Sequence, residues 1–403
     1  MTQELKNTIE MYFWRQQIEE IPAAIEPHID EIDFYDDDDA EKIIDFIIRA
    51  ACSHDDTSLL EYFISKGFDI NFKLLGKDCL ILRLADRSTD ASVFAKFAKL
   101  GADVYSENNS GDNVLILAAR RVFKSYFGND NPEELAVHIV KNYDITQLDK
   151  ADKFGITPLM YAVINDKQQL AEALIEKGSN VNATGAAPFG GCHYWMDMNG
   201  VSPLALAVRH GNLQLFKKLL EAGADESICD AKGIPPVFSL LQFPFNFIKE
   251  QFRYDHPLLK RKCEIVQLIK NLDATDGKGY TALVQSLSER TQGYYTRDIT
   301  MALIENGANV NAAGNDGKRA IHYAAAYRST DVVKALVKAG AEINAQDNNG
   351  NTALLLACKE NDEKTARYLL RAGADFNLKN NKGETPAELA AANGLNDVLE
   401  LMI

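Results

Sequence analysis

Short apolar runs recur along the chain in pairs, separated by polar turns. The first member of a pair is compact and rich in Ala and Leu, as in Pro203-Leu-Ala-Leu-Ala-Val208, which predicts a short helix that a neighbour can approach closely. The second carries paired apolar residues, such as Leu219-Leu220, Leu336-Val337 and Leu369-Leu370, on a spacing that turns one helical face to a core. Thr or Ser followed by Pro opens several first helices, where a hydroxyl can cap the end and proline's missing N–H costs nothing. Gly223, Gly307, Gly340 and Gly373 close second helices at the position where a left-handed backbone is needed. One unit therefore reads turn, helix, turn, helix.

The units repeat. Gly307-Ala-Asn-Val-Asn311 recurs as Gly340-Ala-Glu-Ile-Asn344 and Gly373-Ala-Asp-Phe-Asn377, at two steps of 33 residues. A second phrase keeps pace with it: Gly155-Ile-Thr-Pro-Leu159, Gly200-Val-Ser-Pro-Leu204, Gly279-Tyr-Thr-Ala-Leu283, Gly350-Asn-Thr-Ala-Leu354 and Gly383-Glu-Thr-Pro-Ala387. A period in this range signals a stacked array rather than a single compact core.

These two phrases, in this order and at this period, resemble the ankyrin repeat. The resemblance covers residues 41–403 and implies an all-α solenoid of about nine to ten repeats with turn or hairpin fingers. Ile321-His-Tyr-Ala-Ala325 is the best copy of the family's first-helix phrase, and the resemblance gives His322 a hydrogen bond that joins neighbouring turns. Residues 1–40 fall outside the repeat and are expected to form an acidic helical cap over its exposed apolar end.

Extra residues interrupt the period near 121–132, 183–198 and 239–264. In a stacked array such additions lie outside the core, where loops carry function. The insertion Ala183–Met198 is expected to lengthen one finger. Its glycines beside aromatics suit a hairpin, and Tyr194 and Trp195 either meet a partner or fold back on the fingers. The insertion at 239–264 alternates Phe243, Phe245, Phe247, Phe252 and Tyr254 with Lys and Arg, which fits either a stacking or membrane surface or ordinary helix packing.

Charge narrows the partners. The net charge of −15 argues against a phosphate-backbone binder, and residues 1–71 hold 18 acidic and 5 basic side chains, or −13 of that total. A basic partner follows as an expectation, through electrostatic steering. The run Asp36–Asp39 lacks the spacing and glycine of a calcium loop and is expected to cap the helix that follows. Six cysteines lie far apart without CxxC pairs, no apolar run approaches the ~18 residues of a membrane helix, and the N-terminus lacks a signal-peptide pattern. A cytoplasmic chain with reduced thiols, monomeric when free, is expected, with no nucleic acid and no membrane among its partners.

No phosphate loop, nucleophile elbow or HExxH motif occurs. Cys192, His193 and Asp197 are the one constellation with metal-like chemistry, but neighbours in a strand point to opposite faces. No metal, no cofactor and no catalytic residue is expected. The resemblance instead implies a protein-binding surface on the finger tips and the exposed side of the first helices. It assigns Phe154, Ile156, Val201, Arg209, His210, Tyr280, Lys318, Tyr327, Asn351 and Lys359 to that surface, together with Tyr194 and Trp195 on the long finger. Such a protein would act as a scaffold or as an inhibitor or immunity-type partner. The alternative is a ligand-binding or enzymatic site built in the insertions.

Overall fold

A computed structural model describes residues 1–34, 36–73, 78–87, 90–121, 133–144, 147–186, 188–191, 194–242, 257–288 and 293–402, of which 37, 188–191, 194–197 and 293–295 are described by backbone alone. Residues 122–132 and 243–256, the greater part of two expected insertions, lie outside this set, as do Cys192 and His193. The chain divides into two compact units, 1–189 and 190–403.

The first unit holds α1 (Gln3–Trp14), α2 (Ile21–Ile25), α3 (Asp37–His54), α4 (Ser58–Ser65), α5 (Leu80–Arg87), α6 (Ala91–Lys99), α7 (Val114–Arg120), α8 (Glu134–Asn142), α9 (Pro158–Ile164) and α10 (Gln168–Glu176). Strands β1 (Pro188–Gly191) and β2 (Tyr194–Asp197) pair as a hairpin in the expected long finger, and the division between the units falls within β1.

The second unit continues with α11 (Pro203–His210), α12 (Leu213–Glu221), a 3-10 segment (Pro236–Leu241), α13 (Pro257–Val266), α14 (Ala282–Ser288) and α15 (Gly293–Glu305). It ends with α16 (Ala320–Ala326), α17 (Thr330–Lys338), α18 (Ala353–Lys359), α19 (Glu363–Arg371), α20 (Pro386–Ala392) and α21 (Asn396–Leu399).

In each unit the first helices stack on first helices and the second on second: α5, α7 and α9 beside α6, α8 and α10, then α14, α16, α18 and α20 beside α15, α17, α19 and α21. This is the all-α repeat architecture that the period predicts. The rows differ in burial because a first helix has neighbours on more sides. Pro203 through Val208 are all buried, whereas α12 buries Leu215, Phe216 and Leu219 on one face.

The caps follow the sequence. Thr157, Ser202 and Thr352 hydroxyls accept hydrogen bonds from the amides of Met160, Ala205 and Leu355 at 3.3, 3.3 and 3.2 Å. Where Arg319 stands in place of Thr, His322 supplies the reciprocal bond at the helix start. Its Nδ1 accepts from the Arg319 amide at 3.0 Å, and its Nε2–H donates to the Ala345 carbonyl at 3.0 Å, so the ring ties one turn to the next as expected.

Main-chain hydrogen bonds link successive fingers: the amides of Asn315, Asn348 and Asn381 donate to the carbonyls of Lys278, Asp316 and Asn349 at 3.2, 3.1 and 2.9 Å. Gly200 shows why glycine recurs there. Its φ is +76° and a Cβ would lie 2.4 Å from the Ala231 amide, so both conformation and space exclude a side chain.

The carbonyls that end first helices are capped from adjoining elements. Lys167 Nζ donates to the carbonyls of Ala118 and Ala119, both at 3.0 Å, and Asn393 Nδ2 donates to that of Cys358 at 2.8 Å. The repeat near residue 230 departs furthest. With Pro235 and Pro236 at its start, its first helix is represented among the described residues by the 3-10 segment, and Lys262 of α13 caps that segment by donating to the carbonyls of Ser239 (3.1 Å), Leu240 (2.9 Å) and Gln242.

At the N-terminus, Leu5, Ile9 and Phe13 form the buried stripe of α1, and Arg49 covers Phe13 at 4.0 Å from the ring centre. Asp36 caps α3 as expected, its carboxylate accepting from the Asp39 amide at 3.1 Å. Helix α3 runs through residue 40 without a break.

Candidate functional site

The expected surface residues come together most closely on the second unit, around α16. Tyr323 and Tyr327 lie four residues apart, which puts them on one helical face, and their ring centres are 6.5 Å apart. Tyr323 hydroxyl donates to Asp316 Oδ2 at 2.9 Å and shares a hydrogen bond with the Tyr280 side chain. The Lys318 ammonium sits 5.3 Å from the Tyr323 ring centre and 3.8 Å from the Asp316 carboxylate. Tyr327, 37% exposed, donates to the Ser288 carbonyl at 3.2 Å.

A single substitution within the repeat makes room for this cluster. Asp152, Asp230, Asp276 and Asp347 occupy one finger position, and each receives amides two and four residues on at 2.8 to 3.0 Å. Gly314 replaces that aspartate in the next finger, and the Tyr280 ring lies where a side chain would begin: a Cβ on Gly314 would be 2.1 Å from it. Gly314→Ala is therefore expected to displace Tyr280 and cost about 1 to 3 kcal/mol by overpacking. The cost should shrink in a Tyr280→Ala background. Denaturation of the four proteins in that cycle checks it, and equal costs in both backgrounds would refute the contact.

The chemistry of the cluster is that of contact rather than reaction. Burial and the adjacent Tyr280 and Asp316 push the Tyr323 hydroxyl above its ordinary pKa, so it stays a neutral donor at neutral pH. Tyrosine rings that combine apolar faces with fixed hydroxyls, beside a half-exposed cation, suit a protein contact. Among the described residues, no three His, Cys, Asp or Glu side chains group as metal ligands, and no helix is long and apolar enough to cross a membrane.

The remaining assigned residues divide. Ile156 and Val201 are buried, and this corrects their placement on a surface: the residue after the finger glycine packs inward when apolar. Asn351 is half-buried and engaged by its own finger and the next, donating to Asp347 Oδ2 at 3.2 Å and accepting from Asn380 at 3.1 Å. Lys359 is exposed at the end of α18. Arg209 and His210 end α11, and His210 Nε2 is buried without a hydrogen-bond partner among the described residues. Phe154 belongs to the first unit, half-buried with the Lys153 ammonium 5.1 Å from its ring centre. Tyr194 and Trp195 lie in β2.

Two family models match the chain: one described as "Ankyrin repeats (3 copies)" over residues 123–230, and one described as "Ankyrin repeats (many copies)" over residues 321–370. These two stretches are ankyrin repeats. Among solved structures, the chain is similar to the ankyrin repeat domain of Bcl-3, titled a unique member of the IkappaB protein family. The likeness is 23% identical, covers 62% of this chain and 100% of that one, and has a TM-score of 0.48. No curated protein matches.

Two features of the chain went unassigned from sequence. Trp14 is 86% exposed, one position beyond the buried stripe of α1, and the spacing of Leu5, Ile9 and Phe13 was enough to place it there. Tyr323 is the centre of the aromatic cluster, and nothing in the repeat phrase distinguishes it from a core residue.

Proposed function

We propose that the protein binds another protein through the exposed side of its first helices and its fingers in the second unit, with Tyr280, Lys318 and Tyr327 at the centre. Arrays of ankyrin repeats are in general protein-interaction modules, and the observation that carries this reading is the tyrosine cluster around α16. Its rings and hydroxyls are held by Asp316, the Ser288 carbonyl and the gap at Gly314, so little side-chain freedom is lost on contact. Arg209 and Lys359 extend the surface, and the hairpin carrying Tyr194 and Trp195 supplies a projecting edge. The role is that of a cytoplasmic scaffold or of an inhibitor that covers a partner's active surface, without catalysis of its own.

The basic character of the partner rests on the acidic N-terminal segment, reduced by internal pairing. Glu41 and Asp45 of α3 are held by Arg83 at 2.7 and 3.2 Å, and Arg87 also pairs with Asp45. Only the unpaired remainder steers, so raised ionic strength should slow association more than it speeds dissociation.

Affinity capture from source-cell extract tests the reading, with the native chain beside Tyr327→Ala and a Tyr194→Ala, Trp195→Ala pair. Tyr327→Ala is expected to weaken a stoichiometric partner by about tenfold, roughly 1.4 kcal/mol, with the fold unchanged. Loss with the hairpin pair alone would move the centre to the long finger. Capture of no protein by the native chain would refute binding.

A further inference from the structure

A groove in the row of second helices has a different chemistry. On α19, Lys364, Arg367, Tyr368 and Arg371 follow an i, i+3, i+4, i+7 spacing, which lines them along one face. This face, with Lys334 of α17, lines a cavity of about 680 Å³. In a chain of net charge −15, the concentration of cations is a local reversal.

The cations are unequally engaged. Arg367 is taken up by Glu363 at 3.1 Å and Asp397 at 2.9 Å. Lys334 lies 5.6 Å from the Tyr368 ring centre. Lys364 and Arg371 are exposed and form no ion pair among the described residues. Beside them stands an acceptor in need of a donor. Asp362, which lines the same cavity, is 5% exposed; its Oδ1 caps α19 by accepting from the Thr365 amide at 3.2 Å, while its buried Oδ2 accepts no hydrogen bond among the described residues.

We propose that this groove binds an extended acidic peptide segment of a partner protein. Lys364 and Arg371 stand about 10.5 Å apart along the helix axis. Carboxylates two to four positions apart on an extended strand are about 7 to 13 Å apart, so side-chain reach lets two of them meet both cations. The peptide backbone supplies N–H donors between its acidic side chains, and one of these satisfies Asp362 Oδ2. A phosphate brings its full charge beside the Asp362 carboxylate, which repels it. Arg371 can engage a carboxylate through two parallel N–H donors. The proposal is independent of the tyrosine cluster around α16.

The test is fluorescence anisotropy on the full chain with a labelled heptapeptide of alternating glycine and glutamate, both ends blocked, and its glutamine counterpart. The glutamate peptide is expected to bind saturably and the glutamine peptide not to bind. Lys364→Glu with Arg371→Glu should weaken the complex by at least about tenfold. Lys364→Gln with Arg371→Gln gives the same direction should charge reversal disturb the fold, which circular dichroism reports. Asp362→Asn keeps a good helix cap but removes the acceptor, and is expected to weaken binding by about fivefold. Tyr327→Ala should leave it unchanged, so failure here and failure of the interaction reading above are separable. Absence of saturable binding, equal binding of the glutamine peptide, or indifference to all three changes in the groove overturns the proposal. Displacement by inorganic phosphate at constant ionic strength would leave an adventitious anion site only, and would overturn it too.

Discussion

Replacing Lys262 by methionine is expected to destabilise the second unit by about 2 to 4 kcal/mol. Its side chain is fully buried, and its ammonium donates to three carbonyls that end the 3-10 segment. Methionine matches the stem but donates nothing, so these carbonyls lose partners inside the protein, at about 1 to 3 kcal/mol each where water cannot replace them. One term opposes this. Burial and the nearby Arg209 pull the Lys262 pKa well below its ordinary value, so methionine also relieves the cost of holding a charge there. The loss of the donor to three carbonyls outweighs that relief, and the relief brings the expected total below the sum of the three. Urea denaturation checks it, with Lys278→Met on an exposed finger position as the comparison. A change under about 0.5 kcal/mol for both would show that the 3-10 segment does not depend on Lys262.

Acid is expected to weaken the same unit between about pH 6.5 and pH 4, by at most roughly 3 kcal/mol from His210. Burial, with Arg209 and Lys262 beside it, pushes the His210 pKa down to about 4. The sign follows from linkage. The unfolded chain takes up this proton near pH 6.5, the folded chain only near 4, so the full stability holds above 6.5 and is lost as pH falls through that window. His322, lowered chiefly by burial, adds in the same direction. Denaturation midpoints of native chain and His210→Leu across this range test the account. The slope should flatten in the variant; an unchanged slope would place the acid sensitivity elsewhere.

Much of the fold was legible because each repeat writes its own boundaries in local chemistry. Thr157 and Ser202 cap their helices, Gly223 and Gly373 close theirs at φ +88° and +94°, and Asp36 caps α3, all through groups within a few residues in sequence. His322 was assigned its turn-linking bond from the family phrase, and the Nε2 contact with Ala345 agrees. The candidate surface was legible only in part. Tyr280 and Lys318 occupy equivalent positions in successive repeats, and Tyr327 ends the first helix of the repeat that Lys318 opens, so the period alone brings them near one another.

The period is blind to what differs between copies. Ile156, Val201, Tyr280, Lys318 and Asn351 share one position after the finger glycine, yet the first two are buried and the others are not, because side-chain polarity decides which way that position turns. The seating of Tyr280 over Gly314, the capture of the 3-10 segment by Lys262 and the buried unpaired oxygen of Asp362 all join groups from different elements or expose one group's surroundings. Sequence determined the helices, their caps and their order, since those follow from contacts within a turn or two. Only the tertiary structure decided which polar groups are satisfied and which are left open, because that depends on atoms brought together from elements 20 or more residues apart.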